Sequence, residues 1–228
     1  MIRFLMPLLS GVLVAGLASA APLIIDDFSL DQGPIQAAYS NPASDTVTND
    51  GSFIGPAGTS TRTIDVNGNG HPPPSGQWTT AEVGGGMFEF TSAADVLGNT
   101  SLVYEFIGGV DLSKHIGFTF HDVFADHPFD YEVSIFDLGG GSSFASGTFN
   151  LPLAISSDVL LSFSSFTGLV DLANVDRLMF TLISDEVGLD FNMTQISAAI
   201  PVPAAGFFLI TALAGLGLLR SRKMAEAA

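Results

Sequence analysis

"HIGFTFHDVFADHPFDYEVSIFD", His115 to Asp137, decides how the rest of the chain is read. Ile116, Phe118 and Phe120 recur at every second position, and so do Tyr131, Val133 and Ile135. Alternation of apolar and polar side chains with period two puts each set on one face of an extended strand, where a helix would scatter them. Between the two runs lies a polar segment containing Pro128, which reads as a strand end and a hairpin loop. His121, Asp122, Asp126, His127 and Asp130 fall within it, and His with Asp could hold zinc. Catalytic zinc needs three convergent protein ligands, so the hairpin loop is the preferred reading.

Outward from this hairpin the same pattern repeats. "TRTIDV", "GMFEFTS", "SLVYEF", "VDRLMFTLI" and "VGLDFNMTQI" are among about ten short runs separated by Gly, Asn, Asp and Ser clusters. "RLMFTLI" is apolar on both faces, as a central strand covered on both sides would be. Glycine-rich links such as "VGGGM" and "LGGGSS" suit tight turns, and no middle segment carries a helical period. The expectation is an all-β antiparallel β-sandwich, jelly-roll-like, of about ten strands, with phenylalanine (19 residues) filling the core. The segment from about Asp31 to Ser60, rich in Pro, Gly, Ser and Thr, reads as a long surface excursion.

The ends belong to a different class. Residues 1–20, "MIRFLMPLLSGVLVAGLASA", have one basic residue, Arg3, an apolar run and small residues at Ala18 and Ala20. That is a secretory signal peptide cut after Ala20, which makes signal peptidase a partner. From Ala204 to Leu219 there are 16 uncharged residues, followed by Arg220, Arg222 and Lys223. At ~1.5 Å per residue this helix spans about 24 Å, and snorkelling of Arg220 extends its reach across a bilayer. The basic cluster marks the cytoplasmic side, so the residues before it are exported.

Ile200-Pro201-Val202-Pro203-Ala204, then the apolar helix, then Arg220, Arg222 and Lys223, resemble the VPLPA-type branch of the PEP-CTERM sorting signals. Ile200 and Val202 stand where that family usually has Val and Leu. The resemblance covers residues 200–228 and implies an exosortase-like enzyme as a second partner. It also implies a transmembrane helix at 204–219, and delivery of the exported protein to the cell surface or extracellular matrix of a bacterium.

Residues 21–199 form the ectodomain. From Ala21 to Ile200 there are 22 Asp and Glu against Arg62, Lys114 and Arg177, a formal balance of −19. Such a surface repels nucleic acid and favours divalent cations. With no cysteine, the exported domain cannot use disulfides. "DDFS", "RTIDV", "VDLANVDRLMFTLIS" and "LDFNMTQI" together resemble the galactose-binding-like sandwiches of carbohydrate-binding modules. That resemblance implies a structural calcium between the first and last strands, at Asp26 or Asp27 and Asp190.

"DVNGNG", Asp65 to Gly70, opens like a calcium loop, with Asp65, Asn67 and Asn69 alternating. The twelfth position is Gly76 instead of Glu, and Pro72 to Pro74 forbid the following helix, so an EF-hand is excluded. A type I′ turn is expected there instead. No nucleophile elbow, phosphate loop or zinc-protease motif occurs, and adjacent Asp185 and Glu186 point away from each other, so no enzyme is expected. The remaining alternative is a carbohydrate-binding module for exopolysaccharide, with Trp78 as the projecting aromatic.

Overall fold

The computed structural model describes residues 22–38, 41–69, 78–150, 155–184 and 186–201. The signal peptide, the apolar helix at 204–219 and the basic end lie outside them, as does the sorting motif beyond Pro201. No helix among the described residues is long and apolar enough to cross a membrane. Pro22–Ile200 forms one compact unit.

Fifteen strands lie among its described residues. The first seven are β1 (Leu23–Asp26), β2 (Gln32–Ala37), β3 (Ala43–Thr48), β4 (Thr61–Asn69), β5 (Thr79–Gly84), β6 (Met87–Ser92) and β7 (Leu97–Val110). They are followed by β8 (Gly117–Ala125), β9 (Phe129–Asp137), β10 (Ser142–Phe149) and β11 (Ser157–Ser162). The last four are β12 (Thr167–Leu169), β13 (Val175–Ile183), β14 (Asp190–Met193) and β15 (Gln195–Ala199). One antiparallel sheet runs β12-β10-β9-β13-β7-β4-β3. In the other, β8 pairs with β11 on one edge and with β14 and β15 on the opposite edge. β14 and β15 are one strand line broken at Thr194. Beyond that line β14 meets β6, then β5 and β2, while β15 meets β1. Asp122 (φ 50°) takes a left-handed conformation beside the break, and its carboxylate accepts the Thr194 hydroxyl at 3.0 Å.

Side-chain parity makes the core. Phe118 and Phe120 of β8 point inward, as do Val133 and Ile135 of β9 and Leu178, Phe180 and Leu182 of β13. Ring pairs such as Phe118–Phe180 (5.2 Å) and Phe129–Phe191 (5.0 Å) meet edge-on, the arrangement that aromatic quadrupoles favour. Gly85 and Gly86 both have positive φ in the β5–β6 hairpin, as a type I′ turn requires.

Four expectations change. The strands among the described residues number fifteen, because several are short. The stretch from Asp31 to Ser60 is not a plain excursion: it carries β2 and β3, and its Phe53 is buried. "DVNGN" is not a turn, since β4 runs on to Asn69, which pairs with Leu97. The alternation of Asp65 and Asn67 that imitates a calcium loop is thus the strand period itself. Finally, β13 is central in its sheet, but only one of its faces is covered; Met179 and Ile183 are half-buried on the outer side.

The two sheets are joined by a polar cluster in the middle of this apolar core. Arg62 on β4 has the inward parity of Ile64 and Val66, and it is fully buried. Its Nη1 donates to Asp26 Oδ2 of β1 at 2.7 Å, its Nε to Gln32 Oε1 of β2 at 2.9 Å, and its Nη2 to the Leu30 carbonyl at 2.5 Å. The Tyr104 hydroxyl on β7 donates to the same Asp26 oxygen at 2.7 Å, and the Phe28 N–H donates to the other at 2.8 Å. Gln32 Nε2 completes the set by donating to the Asp45 carbonyl of β3 at 2.8 Å. Phe28 and Phe53 flank the guanidinium at 6.0 and 5.7 Å. Burial pushes the Asp26 carboxyl above its ordinary value, against the pull of Arg62 and the hydroxyl and amide donors. Burial and the Asp26 charge hold Tyr104 well above the ordinary phenol value, so it stays a donor.

Removing one member of a buried ion pair leaves the other charge stranded, which costs about 3–5 kcal/mol. Arg62→Met is therefore expected to lose about that much in denaturant unfolding. Tyr104→Phe should lose about 1.5–3 kcal/mol, the range for a hydrogen bond to a charged group. Lys114→Ala, at an exposed position, should stay within about 0.5 kcal/mol of the parent.

Candidate functional site

The outer face of the seven-stranded sheet is set by the opposite parity. Reading across the registers, Ser142, Phe136, Arg177, Glu105 and Thr61 lie in one row. The next row holds Thr167, Phe144, Ser134, Met179, Val103 and Thr63. A third holds Ser146, Glu132, Thr181, Ser101 and Asp65. Hydroxyls dominate, and some pair across strands: Thr46 with Thr63 at 2.8 Å, and Ser101 with Thr181 at 2.9 Å.

Two of the grooves on this face share Phe136. The larger, about 580 Å³, is lined by Glu105, Ile107, Phe136, Leu138, Asp176 and Arg177. The smaller, about 320 Å³, is lined by Glu132, Ser134, Phe136, Ser142, Ser143 and Phe144. Both volumes fall in the range of about 300–1,000 Å³ typical of small-molecule sites. Phe144 is 52% exposed, Ile107 67% and Leu138 56%, unusual for large apolar side chains on an acidic surface. The Arg177 guanidinium lies 3.8 Å from the Phe136 ring centre. Its buried Nε has no hydrogen-bond partner, and neither has the buried Asp176 Oδ1 beside it. Among the described residues no carboxylate forms an ion pair with Arg177.

One wall of the larger groove is rigid for a definable reason. Asp137 Oδ1 accepts the Gly139 and Gly141 N–H groups at 2.7 and 2.9 Å, and Oδ2 accepts the Asp171 N–H at 2.7 Å. These three donors pin the β9–β10 hairpin to the loop after β12. Together, the Asp171 and Gly141 amides foremost, they hold the Asp137 carboxyl below its ordinary value.

The residues that the sequence singled out lie elsewhere. Trp78 precedes β5 and is 44% exposed, with its carbonyl accepting the Ala93 N–H at 3.1 Å. Asp26 is spent on Arg62, while Asp27 Oδ1 accepts the Ser29 N–H at 3.0 Å. Asp26 pairs with Ile196, six residues beyond Asp190 along the β14–β15 line, or ~20 Å at ~3.3 Å per residue. Asp26 faces the core and Asp190 is exposed, so the structure does not bring the two ends of the expected calcium bridge together. Among the described residues no group of three or more His, Asp and Glu is placed to hold a metal.

The His/Asp hairpin also divides. His127 Nδ1 lies 3.0 Å from Asp126 Oδ1, and its Nε2 is 3.9 Å from Glu186. His121, across the break, touches neither. Its Nδ1 is 3.1 Å from Asp158 Oδ2, and its Nε2 is 2.9 Å from Ser197 Oγ. The order Asp–His–Ser has the form of a nucleophile, a base and its orienting acid. Ser197, however, is only 2% exposed, and its strand is bonded on both sides, to β1 and β8. The Asp122 N–H adds to this set, donating to Asp158 Oδ1 at 3.1 Å. The three residues act as a clasp across β11, β8 and β15.

The Phe136 grooves escaped the sequence reading because Phe136 and Phe144 sit in runs where phenylalanine is also the core residue. The available signal was parity. Phe136 is out of step with Tyr131, Val133 and Ile135, so a strand with those three inside must put it outside.

No family model matches the chain, and no curated protein matches it. Among solved structures, the family 11 carbohydrate-binding module of the cellulosomal cellulase Lic26A-Cel5E of Clostridium thermocellum is 15% identical. The match has a TM-score of 0.42 and covers 82% of this chain and 99% of that one. An exo-β-agarase is 12% identical at a TM-score of 0.44, over 79% of this chain and 25% of that one. The agarase AgWH50C is 12% identical at a TM-score of 0.42, over 54% of this chain and 22% of that one. The chain thus spans a quarter or less of the agarases it matches. Likeness at this level carries no conclusion about family or activity.

Two titrations check the local electrostatics. A carboxyl depressed by folding stabilises above its unfolded value of 3.8, and that contribution is lost as pH falls through the lower folded value. The Gly139, Gly141 and Asp171 amide resonances should therefore shift together at a midpoint below 3.8, and Asp137→Asn should abolish the transition. The hydrogen bond and charge of Asp126 raise His127 above 6.5. The stability it contributes is present below 6.5 and lost as pH rises through the folded value. Asp126→Asn should lower the His127 midpoint in an NMR titration.

Proposed function

We propose that this chain is an exported bacterial protein whose β-sandwich is displayed at the cell surface or in the extracellular matrix, and that it acts by presenting that domain without catalysing a reaction. The observation that carries the reading is the junction at the C-terminal side. β15 ends at Ala199, and the motif Ile200-Pro201-Val202-Pro203-Ala204 begins at the next residue. The apolar segment 204–219 and Arg220, Arg222 and Lys223 follow directly. In this reading a completed sandwich is handed to the sorting machinery with no spacer. The leader 1–20 supplies export, the segment 204–219 supplies membrane retention, and an exosortase-like enzyme supplies the final processing.

A second reading adds binding of exopolysaccharide to display. Its support is the exposed Phe144 beside the Phe136 groove, on a face rich in hydroxyls and carboxylates. Such surfaces offer an apolar plane for sugar C–H groups and acceptors for sugar O–H groups.

Intact-mass analysis of the protein recovered from its cells tests the sorting reading. The expected chain begins at Ala21, and the segment after the Pro-containing motif is trimmed or modified. Full-length chain through Ala228, in cells that contain the sorting enzyme, would overturn sorting and leave a plain C-terminal anchor.

A further inference from the structure

We infer that the paired grooves either side of Phe136 are a single binding site for a neutral polysaccharide, with Phe144 and Phe136 as its apolar platform and Arg177 as its central donor. The inference rests on the exopolysaccharide reading and locates it on the outer face of the seven-stranded sheet, away from Trp78.

Three observations converge on this face. The first is apolar surface left open. Phe144 lies opposite Ser134, and Phe136 opposite Ser142, so the two rings are diagonal neighbours on β10 and β9. Diagonal positions stand about 7–8 Å apart, so the open Phe144 ring adjoins the Phe136 ring, which the Arg177 guanidinium covers at 3.8 Å. The second is polar capacity left unused. Arg177 Nε and Asp176 Oδ1 are buried without partners, although buried polar atoms are nearly always satisfied. As placed neither atom faces solvent, so their use requires the two side chains to turn outward; a donor and an acceptor in adjacent residues then match a hydroxyl, which can both accept and donate. They do not match an anion, which could use only the donor. The third is charge. Glu105 and Asp176 line one groove and Glu132 the other, in a domain with a formal balance of −19. One guanidinium among these carboxylates leaves the site hostile to a polyanion and open to a neutral chain of hydroxyls.

The grooves also extend in a suitable direction. They adjoin at Phe136 and continue across β10, β9, β13 and β7, a run of three inter-strand spacings, about 14 Å. An extended polymer can occupy that length with several sugar units, while Ile107 and Leu138 wall its far end.

The test uses the full-length protein in mild detergent, with four soluble polymers as probes: a neutral β-glucan, a neutral galactan, dextran and the polyanion alginate. Affinity is read by titration calorimetry, and folding by melting temperature. The expected result is saturable binding to at least one neutral polymer and none to alginate. Phe144→Ala and Arg177→Gln should each weaken that binding by about tenfold or more, with Trp78→Ala within about twofold of the parent. Phe144 is exposed, so its variant should melt with the parent and report on binding alone. Neutral-polymer binding that survives Phe144→Ala and Arg177→Gln but disappears in Trp78→Ala would overturn this site and leave the polysaccharide reading standing. Preferential binding of alginate would overturn the neutral assignment. No binding to any of the four would overturn the polysaccharide reading itself, and the site with it.

Discussion

The buried Arg62–Asp26 pair is the constraint around which the sandwich is organised. Two sheets packed only through phenylalanine and aliphatic side chains could slide, because dispersion and the hydrophobic effect are weakly directional. A guanidinium with three directed donors cannot. Arg62 and Tyr104 come from one sheet and Asp26 and Gln32 from the other, so the cluster is satisfied in only one relative placement. In a domain without cysteine, this network occupies the place that a disulfide holds in many exported sandwiches. It is not a gain in raw stability, since desolvating two charges offsets most of their attraction. Its contribution is registry. Phe28 (φ 56°) takes a left-handed conformation at the same place, and its N–H donates to the Asp26 carboxylate.

Much of this fold was legible in the chain. Period-two runs placed the strands, and the paired glycines of "VGGGM" placed a hairpin, because both signals are local. What stayed hidden depends on partners distant in sequence. "TRTIDV" shows Arg62 in step with Ile64 and Val66, which implies that it faces inward. Nothing nearby shows that Asp26, 36 positions earlier, waits there. The same limitation hid from the sequence that Asp26, read there as a calcium ligand, is bonded to Arg62. An acid at a strand end looks free until its cross-sheet partner is known. "DVNGN" failed for another reason: Asn and Gly favour turns locally, yet pairing of β4 with β7 along its full length overrides that preference.

The candidate site follows from the sheet's two-sidedness. One face of β9 and β10 fills the core, while the other carries Phe136 and Phe144 where water would be expected to demand polarity. The unpartnered Nε of Arg177 and Oδ1 of Asp176 lie at the same place. The exposed Phe144 and the unpartnered atoms of Asp176 and Arg177 fall within one part of the outer face. Concentrated exceptions of this kind mark the sites that a protein keeps for something other than folding.

The last strand has a mechanical meaning as well. β15 is hydrogen-bonded to β1 on one side and β8 on the other, and Leu23 at the start of the domain lies opposite Ala198 at its end. A load applied through the chain after Ala199 acts along β15. Both flanking ladders then resist in shear, with many bonds strained at once, where an edge hairpin would peel open one bond at a time. A pull on the chain beyond Ala199 would therefore enter the sandwich through a strand braced on both sides.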